Sequence, residues 1–226
     1  MFSELPHTSD HARLPDGRQA LIIANGALPP RQIVRPLVSS ADIVICADGG
    51  ANAARRLRIQ PDIILGDFDS IQPSTRKFFR RVPQLLIDDQ NSTDMEKALQ
   101  YCAEREISSV DVVGATGNRI DHTTGSLGCL KKFGDRLQLR FIDAVGELSM
   151  VRGSVELSTN IGDKLSLIPL ERCTGVTTAN LKYALDNDLL ELGVREGISN
   201  EAIGHRITIS VRQGTLLLYR FHKTKR

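Results

Sequence analysis

The sequence predicts an α/β protein in which a mostly parallel sheet with flanking helices is followed by a smaller antiparallel β-sandwich domain. In residues 20–143, short apolar runs alternate with helical patterns, and this alternation is typical of βαβ units. The runs LIIA, IVIC and IILG are continuously apolar, which indicates strands that are covered on both faces. After about Val145, candidate strands follow one another without a long amphipathic helix between them. This change of pattern predicts two domains.

The candidate elements of the first half form a regular series. Strands are predicted over residues 20–24, 42–47, 62–65, 84–87, 110–113 and 137–142. Helices are predicted over residues 52–57, 73–81, 93–105 and 122–133. The third helix has a clear start, because Thr93 followed by Glu96 forms a capping box. Its apolar face is predicted to consist of Met95, Ala98, Leu99 and Cys102.

The second half contains shorter strand patterns, at residues 154–157, 164–168, 175–178, 207–211 and 215–221. The last two flank Arg212-Gln213-Gly214, a short connection with a glycine that predicts a β-hairpin. The predicted organisation is therefore a flexible N-terminal lead at residues 1–19, an α/β domain at 20–145 and a β domain at 146–226.

Composition and charge exclude several classes of protein. The chain has 226 residues, of which 41% are hydrophobic and 25% are charged, close to ordinary globular usage. A formal net charge of +2 argues against nucleic acid as the main partner. No apolar run reaches the roughly 18–20 residues of a membrane helix, so no membrane segment is predicted. The four cysteines favour buried free thiols and a cytoplasmic location over disulfides or a zinc site, because Cys46, Cys102, Cys129 and Cys173 are far apart beside apolar residues.

Polar residues and glycines follow each of five successive predicted strands. In open α/β sheets, ligands bind beyond the carboxyl ends of the strands, so these residues predict one shared site. A single aspartate after a strand is an ordinary turn residue or helix cap, and only the coincidence at one edge indicates a site. The segments are Asn25-Gly26, Asp48-Gly49-Gly50, Gly66-Asp67-Phe68-Asp69-Ser70, Asp88-Asp89-Gln90 and Gly114-Ala115-Thr116-Gly117.

Two pairs of charged residues suggest what this site binds. Asp67 and Asp69 repel each other in a tight loop unless a cation or a donor compensates. Magnesium takes one or two carboxylates together with phosphate oxygens, so the pair is either a metal site or an Asx-turn before a helix cap. Asp94 and Lys97 lie one helical turn apart. They form either a surface ion pair or, at this edge, an acid that binds metal and a cation that binds phosphate.

The loop at residues 114–122 contains glycines and enters a helix, whose first N–H groups favour anions. Arg119 can bind phosphate oxygens in a bidentate fork, and Asp121 is the expected N-cap of the helix. His122 is a nucleotide contact, a general base or a polar residue of the first turn. The sequence contains neither GxGxxG nor GxxxxGK[ST], which excludes an ordinary dinucleotide site and a P-loop. Together these residues suggest metal-assisted transfer of a phosphorus group.

Four blocks of the first half resemble the N-terminal motifs of the thiamine pyrophosphokinase family. They are ADGGAN at 47–52, PDIILGDFDS at 61–70, DQNSTDMEKAL at 89–99 and GATGNRIDH at 114–122. The second half adds SLIPL at 166–170, LKYAL at 181–185 and GISNE at 197–201. The resemblance spans about residues 20–220 in the same order. It implies an α/β catalytic domain that binds ATP and magnesium, a β-sandwich domain that binds thiamine, and a homodimer.

The resemblance also implies an activity and the residues that serve it. Family members transfer the pyrophosphoryl group of ATP to the hydroxyl of thiamine and release AMP. The implied catalytic residues are Asp67, Asp69, Asp94, Lys97 and Arg119, and the implied Mg²⁺ ligands are Asp48, Asp67, Asp69 and Asp94. The residues implied to bind ATP are Asp48, Gly49, Gly50, Asn52, Gln90, Gly114, Thr116, Gly117, Asn118, Asp121 and His122. Those implied to bind thiamine are Tyr183, Ser199 and Asn200.

Two positions depart from the family pattern. The segment Gly117-Asn118-Arg119 stands where the family has GGR, and Asn tolerates a left-handed backbone better than most residues. Tyr183 stands where some members have Trp, and it is either a ring that stacks on thiamine or a half-buried strand tyrosine. Two other functions stay open. They are pyrophosphoryl transfer to another small alcohol, such as a hydroxymethyl pterin, and a non-catalytic module that senses nucleotide or thiamine.

Overall fold

The computed structural model describes residues 17–117 and 119–223, and the chain divides into two compact units. The larger unit contains Gly17–Met150 together with the chain from Leu217 onward, and the smaller unit contains Val151–Leu216. The predicted fold class is confirmed. A mostly parallel sheet with flanking helices forms the larger unit, and antiparallel strands form the smaller β-sandwich unit.

Strands and helices alternate along the larger unit. They are β1 (Arg18–Ile23), α1 (Arg31–Ser40), β2 (Ile43–Ala47), α2 (Gly50–Leu57), β3 (Ile63–Gly66), α3 (Pro73–Phe78), β4 (Gln84–Leu86), α4 (Asp94–Ala103), β5 (Ile107–Val113), α5 (Ile120–Phe133), β6 (Gln138–Ile142) and β7 (Gly146–Val151). The strand order is β7-β6-β5-β1-β2-β3-β4. All neighbours from β6 to β4 pair in parallel, whereas β6 and β7 pair antiparallel.

The centre of the sheet is strand β1, which is buried on both faces. Leu21, Ile22 and Ile23 have no exposed surface, as expected of a continuously apolar strand in a parallel sheet. Ile22 pairs with Ile45 of β2 on one side and with Val112 of β5 on the other. The chain leaves β1 toward β2, β3 and β4 and later returns to β5 on the opposite side. The carboxyl ends of β1 and β5 therefore flank a topological switch point, where α/β sheets bind ligands.

A buried ion pair connects the strands β5 and β6. Arg140 donates from Nε and Nη2 to the two carboxylate oxygens of Asp111, each at 2.8 Å, and Asp111 is 1% exposed. Arg140 Nη1 lies 3.3 Å from Glu147 on β7, so the charges continue across a third strand. Removing one partner of such a buried pair leaves the other charge without compensation, which makes the pair important for stability.

The smaller unit consists of short antiparallel strands. They are β8 (Ser154–Ser158), β9 (Lys164–Pro169), β10 (Cys173–Ala179), β11 (Asp188–Leu190), β12 (Gly197–Glu201) and β13 (Arg206–Ser210). One sheet has the order β11-β10-β13-β8, and β12 pairs with β9. The chain then returns to the larger unit through β14 (Leu216–Phe221), a neighbour of β7 in its sheet.

The predicted hairpin between residues 207–211 and 215–221 is wrong. Strand β13 pairs with β8 and β10, whereas β14 is a neighbour of β7 in the other sheet. The backbone N–H groups of Arg212 and Gln213 donate to the carbonyl oxygen of Thr174 at 3.1 and 3.3 Å. The connection is therefore held against β10, and its glycine permits a change of sheet rather than a tight return.

Three further differences concern a helix that was not predicted, the start of one strand and the sheet to which another strand belongs. Helix α1 was not predicted, and it contains Pro36, a residue that normally interrupts a helix. Strand β1 begins at Arg18, inside the predicted lead, because Gln19 pairs with Ser109 and its N–H donates to Asp42. Residues 1–16 of that lead lie outside the described residues. Strand β7 follows the predicted boundary at residue 145 but pairs with β6, and so belongs to the sheet of the larger unit.

The cysteines agree with the sequence-based prediction. Cys46, Cys102, Cys129 and Cys173 are all buried and free. Burial in apolar surroundings raises the pKa of these thiols, which keeps them protonated and unreactive. Within the described part of the chain, no helix combines the length and the apolar composition needed to cross a membrane.

Candidate functional site at the carboxyl edge of the parallel sheet

Three aspartates from three separate segments meet at the carboxyl edge of the larger unit's sheet. Asp48 follows β2, Asp67 follows β3, and Asp94 is the first residue of α4. Carboxylate oxygens of Asp48, Asp67 and Asp94 all lie within 4.8 Å of one another. Hard oxygen ligands at this spacing suit a small divalent cation such as Mg²⁺. The structure thus brings together three of the four predicted metal ligands, which we call the acidic triad.

Asp48 provides the clearest sign that the acidic triad suits a cation. Its side chain is 1% exposed, and Oδ2 accepts a hydrogen bond of 2.8 Å from the backbone N–H of Ser70. Its second oxygen, Oδ1, is buried without a hydrogen-bond partner among the described residues. Burial raises the pKa of Asp48 to about 6; the Ser70 N–H opposes this rise, and the charge of Asp94 adds to it. A buried, unpaired carboxylate oxygen is costly, and a bound cation would remove that cost.

Lys97 lies beside the acidic triad and is itself buried. Its side chain is 2% exposed, and Nζ lies 3.3 Å from Asp67 Oδ2 and 3.1 Å from Asp94 Oδ1. Burial lowers the pKa of Lys97, but the hydrogen bonds and charges of Asp94 and Asp67 outweigh it and raise the pKa overall. The interpretation of Asp94 and Lys97 as a surface ion pair is therefore wrong: Lys97 is a buried cation shared by two acids.

The capping box at the start of α4 explains why Asp94 and Lys97 point to this edge. Thr93 is the N-cap, its hydroxyl accepts from the N–H of Glu96, and the Glu96 carboxylate accepts from the N–H of Thr93. The box begins the helix at Asp94, so Asp94 and Lys97 follow each other one turn apart. The predicted apolar face is buried: it consists of Met95, Ala98, Leu99 and Cys102.

The loop after β3 is tightly folded around its own polar groups. Phe68 has a φ of 67°, in the left-handed region, and the N–H of Asp69 approaches Asp67 Oδ1 at 3.3 Å. The carboxylate of Asp69 accepts from the Ser70 hydroxyl at 2.7 Å. Asp69, the fourth predicted metal ligand, does not belong to the group of acids whose oxygens lie within 4.8 Å. It lies beside that group and fixes Ser70.

Glycines allow the segments of the site to approach each other closely. A Cβ on Gly66, whose φ is 145°, would lie 2.8 Å from Asp48 Cβ and 3.0 Å from Asp94 Oδ1. A Cβ on Gly50 would lie 1.9 Å from the carbonyl oxygen of Ile23. A Cβ on Gly49 would lie 2.4 Å from the side-chain amide nitrogen of Asn25. The predicted nucleotide residues Gly49 and Gly50 thus have a packing role. Gly66 belongs to a segment that predicted the shared site, but no role was assigned to it; its signal was a glycine at the end of an apolar strand, directly before an acid.

The side chain of Asn52 bridges two backbone groups of the loop after β3. Its Nδ2 donates to the carbonyl oxygen of Ser70 at 3.0 Å, and its Oδ1 accepts from the N–H of Gln72 at 3.0 Å. Ser70 in turn donates its N–H to Asp48. Ser70 belongs to the segment at residues 66–70 that predicted the shared site, but no role was assigned to it from the sequence.

Gln90 lies in the loop before α4 and donates from Nε2 to Asp88 at 3.1 Å. No contact among the described residues joins its side chain to the acidic triad. The loop is held mainly by Asp89, which accepts from the Asn91 N–H at 2.9 Å and from the Ser92 hydroxyl at 2.5 Å. These bonds lower the pKa of Asp89.

The glycine loop after β5 is anchored to the loop after β1, across the topological switch point. The N–H of Gly26 donates to Gly114 O, and the N–H of Ala27 donates to Thr116 O, both at 2.8 Å. Gly114 and Gly117 have φ angles of 74° and 104°, which favour glycine. The structure therefore places the predicted residues Gly114, Thr116 and Gly117 beside the end of β1.

Arg119 and Asp121 form an exposed pair at the start of α5. Arg119 is the N-cap and Asp121 lies in the first turn, so the prediction of Asp121 as the N-cap is wrong. Asp121 instead accepts from Arg119, whose Nε lies 3.1 Å away, and this hydrogen bond lowers the pKa of Asp121 to about 2. The His122 side chain is exposed. Asn118 lies outside the described residues.

The predicted thiamine residues lie together in the smaller unit. Asn200 is 3% exposed; its Oδ1 accepts from the Tyr183 N–H at 3.1 Å, and its Nδ2 donates to the Tyr183 carbonyl at 2.8 Å. The Tyr183 side chain is 62% exposed, so it is not the half-buried strand tyrosine considered from the sequence. Ser199 has a φ of 59° at a bulge between β12 and β9, and its N–H donates to Ser166. Asn200 therefore positions Tyr183 through the backbone.

Comparison with known families agrees with the division into two units. A family described as "Thiamin pyrophosphokinase, catalytic domain" matches residues 34–141. A family described as "Thiamin pyrophosphokinase, vitamin B1 binding domain" matches residues 154–216. The first match lies within the larger unit and the second within the smaller one.

Individual proteins similar to this chain carry the same description. It is 30% identical over 234 residues to thiamine pyrophosphokinase 2 of Oryza sativa subsp. japonica, with 91% of this chain and 87% of the relative covered. It is 29% identical over 236 residues to thiamine pyrophosphokinase 1 of Arabidopsis thaliana, with 92% and 88% covered. The crystal structure of thiamine pyrophosphokinase from Bacillus subtilis superimposes with a TM-score of 0.79 at 26% identity, covering 92% of this chain and all of that one.

Proposed function

Because this chain belongs to the thiamine pyrophosphokinase family, we propose that it transfers the pyrophosphoryl group of ATP to the hydroxyl of thiamine. The products are thiamine diphosphate and AMP. The observation that carries this proposal is the acidic triad with its buried Lys97, at the sheet edge where an α/β fold binds nucleotides. A highly charged phosphoryl donor needs this combination of metal-binding oxygens and fixed cations.

We propose that Asp48, Asp67 and Asp94 hold Mg²⁺, with Asp69 as a further acid beside them. Two observations support this assignment: Asp48 Oδ1 has no hydrogen-bond partner among the described residues, and one oxygen from each of the three carboxylates lies within 4.8 Å of the other two. When bound, Mg²⁺ neutralises charge on the phosphate oxygens and orients them. The glycine at position 66 lets Asp48 and Asp94 come close enough to share one ion.

Lys97 and Arg119 are proposed as the cations that contact the phosphates. Lys97 is already fixed by Asp67 and Asp94, so its ammonium needs little reorganisation when charge develops on an adjacent oxygen. Arg119 is exposed and paired with Asp121, and an exposed pair is weak enough for the guanidinium to turn toward a phosphate. The further proposed ATP contacts are Asp48, Gly49, Gly50, Gln90, Gly114, Thr116, Gly117, Asn118, Asp121 and His122. Asn52, which the resemblance also implied, instead has its amide nitrogen and oxygen bonded to backbone groups of the loop after β3.

Tyr183, Ser199 and Asn200 are proposed to form the thiamine side of the site. The exposed ring of Tyr183 can stack on the flat rings of thiamine, and the positive thiazolium ring favours an aromatic face. Asn200 keeps this ring in place by holding the Tyr183 backbone at both its N–H and its carbonyl. We further propose a homodimer that works in the cytoplasm without nucleic-acid or membrane partners; the free, buried cysteines suit a reducing compartment.

The proposal is tested by measuring AMP formation with ATP, Mg²⁺ and thiamine, and by removing each of the three in turn. We expect AMP only when all three are present. Asp67→Asn should lower turnover at least about 100-fold, since it removes a proposed ligand of the Mg²⁺ that neutralises charge on the phosphate oxygens. Asp135→Asn, an exposed acid of the same unit, is the matched control.

The outcomes separate the proposal from its alternatives. AMP formation with a hydroxymethyl pterin in place of thiamine would assign the chain to another alcohol substrate. Binding of ATP or thiamine with no AMP from any alcohol would indicate a sensing module. Full activity of the Asp67→Asn variant would exclude the metal assignment.

A further inference from the structure

We infer that Asn52 is a positioning residue that fastens the loop after β3 and thereby orients Asp48 for metal binding. The inference goes beyond the nucleotide contact implied by the resemblance, and it rests on the proposed metal site. Asn52 lies in the first turn of α2, four residues after Asp48 in the chain. The hydrogen bonds of its side-chain amide among the described residues go to backbone groups of residues 70 and 72.

The peptide groups of Ser70 are held from two directions by these two side chains. Asp48 Oδ2 accepts from the Ser70 N–H at 2.8 Å, and Asn52 Nδ2 donates to the Ser70 carbonyl at 3.0 Å. Asn52 Oδ1 accepts from the Gln72 N–H, also at 3.0 Å. Three hydrogen bonds, one from Asp48 and two from Asn52 in the first turn of α2, therefore join this part of the chain to the loop that carries Asp67 and Asp69.

This arrangement determines which oxygen of Asp48 is left for a cation. Because Ser70 occupies Oδ2, the carboxylate presents Oδ1, the buried oxygen without a partner. If the loop loses Asn52, Asp48 is the residue outside the loop that still bonds the Ser70 backbone among the described residues. The Ser70 N–H is then no longer held in a fixed position, so it orients the Asp48 carboxylate less well. The same loosening reaches Asp67 and Asp69, which precede Ser70 in the loop.

The experiment compares Mn²⁺ binding by electron paramagnetic resonance in the wild-type chain and in Asn52→Ala, without nucleotide. We expect Mn²⁺ to bind about 5- to 30-fold more weakly in the variant, the range for losing one or two hydrogen bonds. Hydrogen exchange of the segment 67–72 in the metal-free chain should become faster at the same time. Gln100→Ala is the matched control, because Gln100 also makes two side-chain amide hydrogen bonds but contacts Glu104 and Arg136 instead of the loop.

A second variant removes only one of the two hydrogen bonds that Asn52 makes with the loop after β3. Gln72→Pro deletes the N–H that donates to Asn52, and the φ of Gln72, −64°, already matches proline. We expect a smaller loss of Mn²⁺ affinity than in Asn52→Ala. In activity assays, the Mg²⁺ concentration for half-activation should rise in both variants, whereas KM for ATP at saturating Mg²⁺ should stay near the wild-type value.

Two outcomes would overturn the inference. Unchanged Mn²⁺ affinity and unchanged hydrogen exchange of residues 67–72 in Asn52→Ala would show that the hydrogen bonds of Asn52 do not orient the acidic triad. A raised KM for ATP that persists at saturating Mg²⁺, with normal Mn²⁺ binding, would make Asn52 a direct nucleotide contact. If the wild-type chain forms no AMP, the proposed function fails, but the Mn²⁺ and exchange measurements still decide the role of Asn52.

Discussion

Replacing Gly66 by alanine tests how closely the site depends on its backbone geometry. The added Cβ would lie 2.8 Å from Asp48 Cβ and 3.0 Å from Asp94 Oδ1. Because non-bonded carbon atoms prefer about 3.5–4.0 Å, one of these groups must move by about 0.7–1.2 Å. Both neighbours belong to the acidic triad, so any accommodation displaces a proposed metal ligand.

The expected effect combines a backbone cost and a loss of activity. Gly66 has a φ of 145°, a conformation that costs a residue with a side chain about 1–3 kcal/mol. For a chain of this size, that loss lowers Tm by about 2–12 °C. A displacement of about 1 Å in a reacting site lowers the rate about 100-fold, so kcat for AMP formation should fall by about that factor.

The assay measures AMP release and Mn²⁺ binding at a temperature well below the Tm of the variant. Gly128→Ala is the matched control: Gly128 lies in α5, and an added Cβ meets nothing within 4 Å. It should keep full activity and gain about 0.5–1 kcal/mol of stability, since alanine favours a helix over glycine. Wild-type kcat and Mn²⁺ affinity in Gly66→Ala would refute the argument that this glycine is required for the acidic triad to assemble.

Substitutions at three other positions, two of them with a comparison, test separate parts of the molecule. Lys97→Met should lower kcat about 100-fold, because it removes a prearranged cation beside the phosphates while keeping the length of the side chain; a change in ATP affinity alone would contradict this role. Tyr183→Ala should raise KM for thiamine about tenfold, whereas Tyr183→Phe should keep it near wild type; equal KM values in all three would exclude stacking. Asp111→Ala should lower the free energy of unfolding in urea by about 3–5 kcal/mol, since it leaves Arg140 buried without its main partner. Asp188→Ala, which breaks the more exposed pair with Arg195, should lower it by less than about 1 kcal/mol. Equal losses in the two variants would contradict the role of burial.

Local signals were sufficient for much of the fold. The apolar runs at Leu21–Ile23 and Ile43–Ala47 predicted buried parallel strands, because a strand covered on both faces needs no polar positions. The Thr93 capping box predicted the start of α4 within one residue. Helix α1 was missed because Pro36 argues against a helix, and the false hairpin at residues 212–214 arose because a glycine between two strands does not specify which strands pair.

The site was predictable in chemistry but only partly in arrangement. The rule that ligands bind at the carboxyl ends of strands placed Asp48, Asp67 and Asp94 at one edge, and their oxygens lie within 4.8 Å of one another. The resemblance implied the same role for Asp69, but its carboxylate accepts a hydrogen bond from the Ser70 hydroxyl beside the acidic triad. Which of the two aspartates, Asp67 or Asp69, joins the acidic triad depends on the backbone angle φ of Phe68 between them, which the sequence does not reveal.

Hydrophobic periodicity and residue types at fixed spacing, both local properties of the chain, predicted the fold class and the types of chemical group at the sheet edge. The family was identified from the resemblance of several motif blocks in the same order. The burial of Lys97 between two acids, the oxygen of Asp48 that has no partner among the described residues, and the bonds of Asn52 to the loop after β3 became visible only in the folded chain. Burial and hydrogen-bond partners depend on segments far apart in the chain, such as Asp67 and Lys97. A spacing rule describes which groups are available, and packing decides which of their atoms remain free to bind.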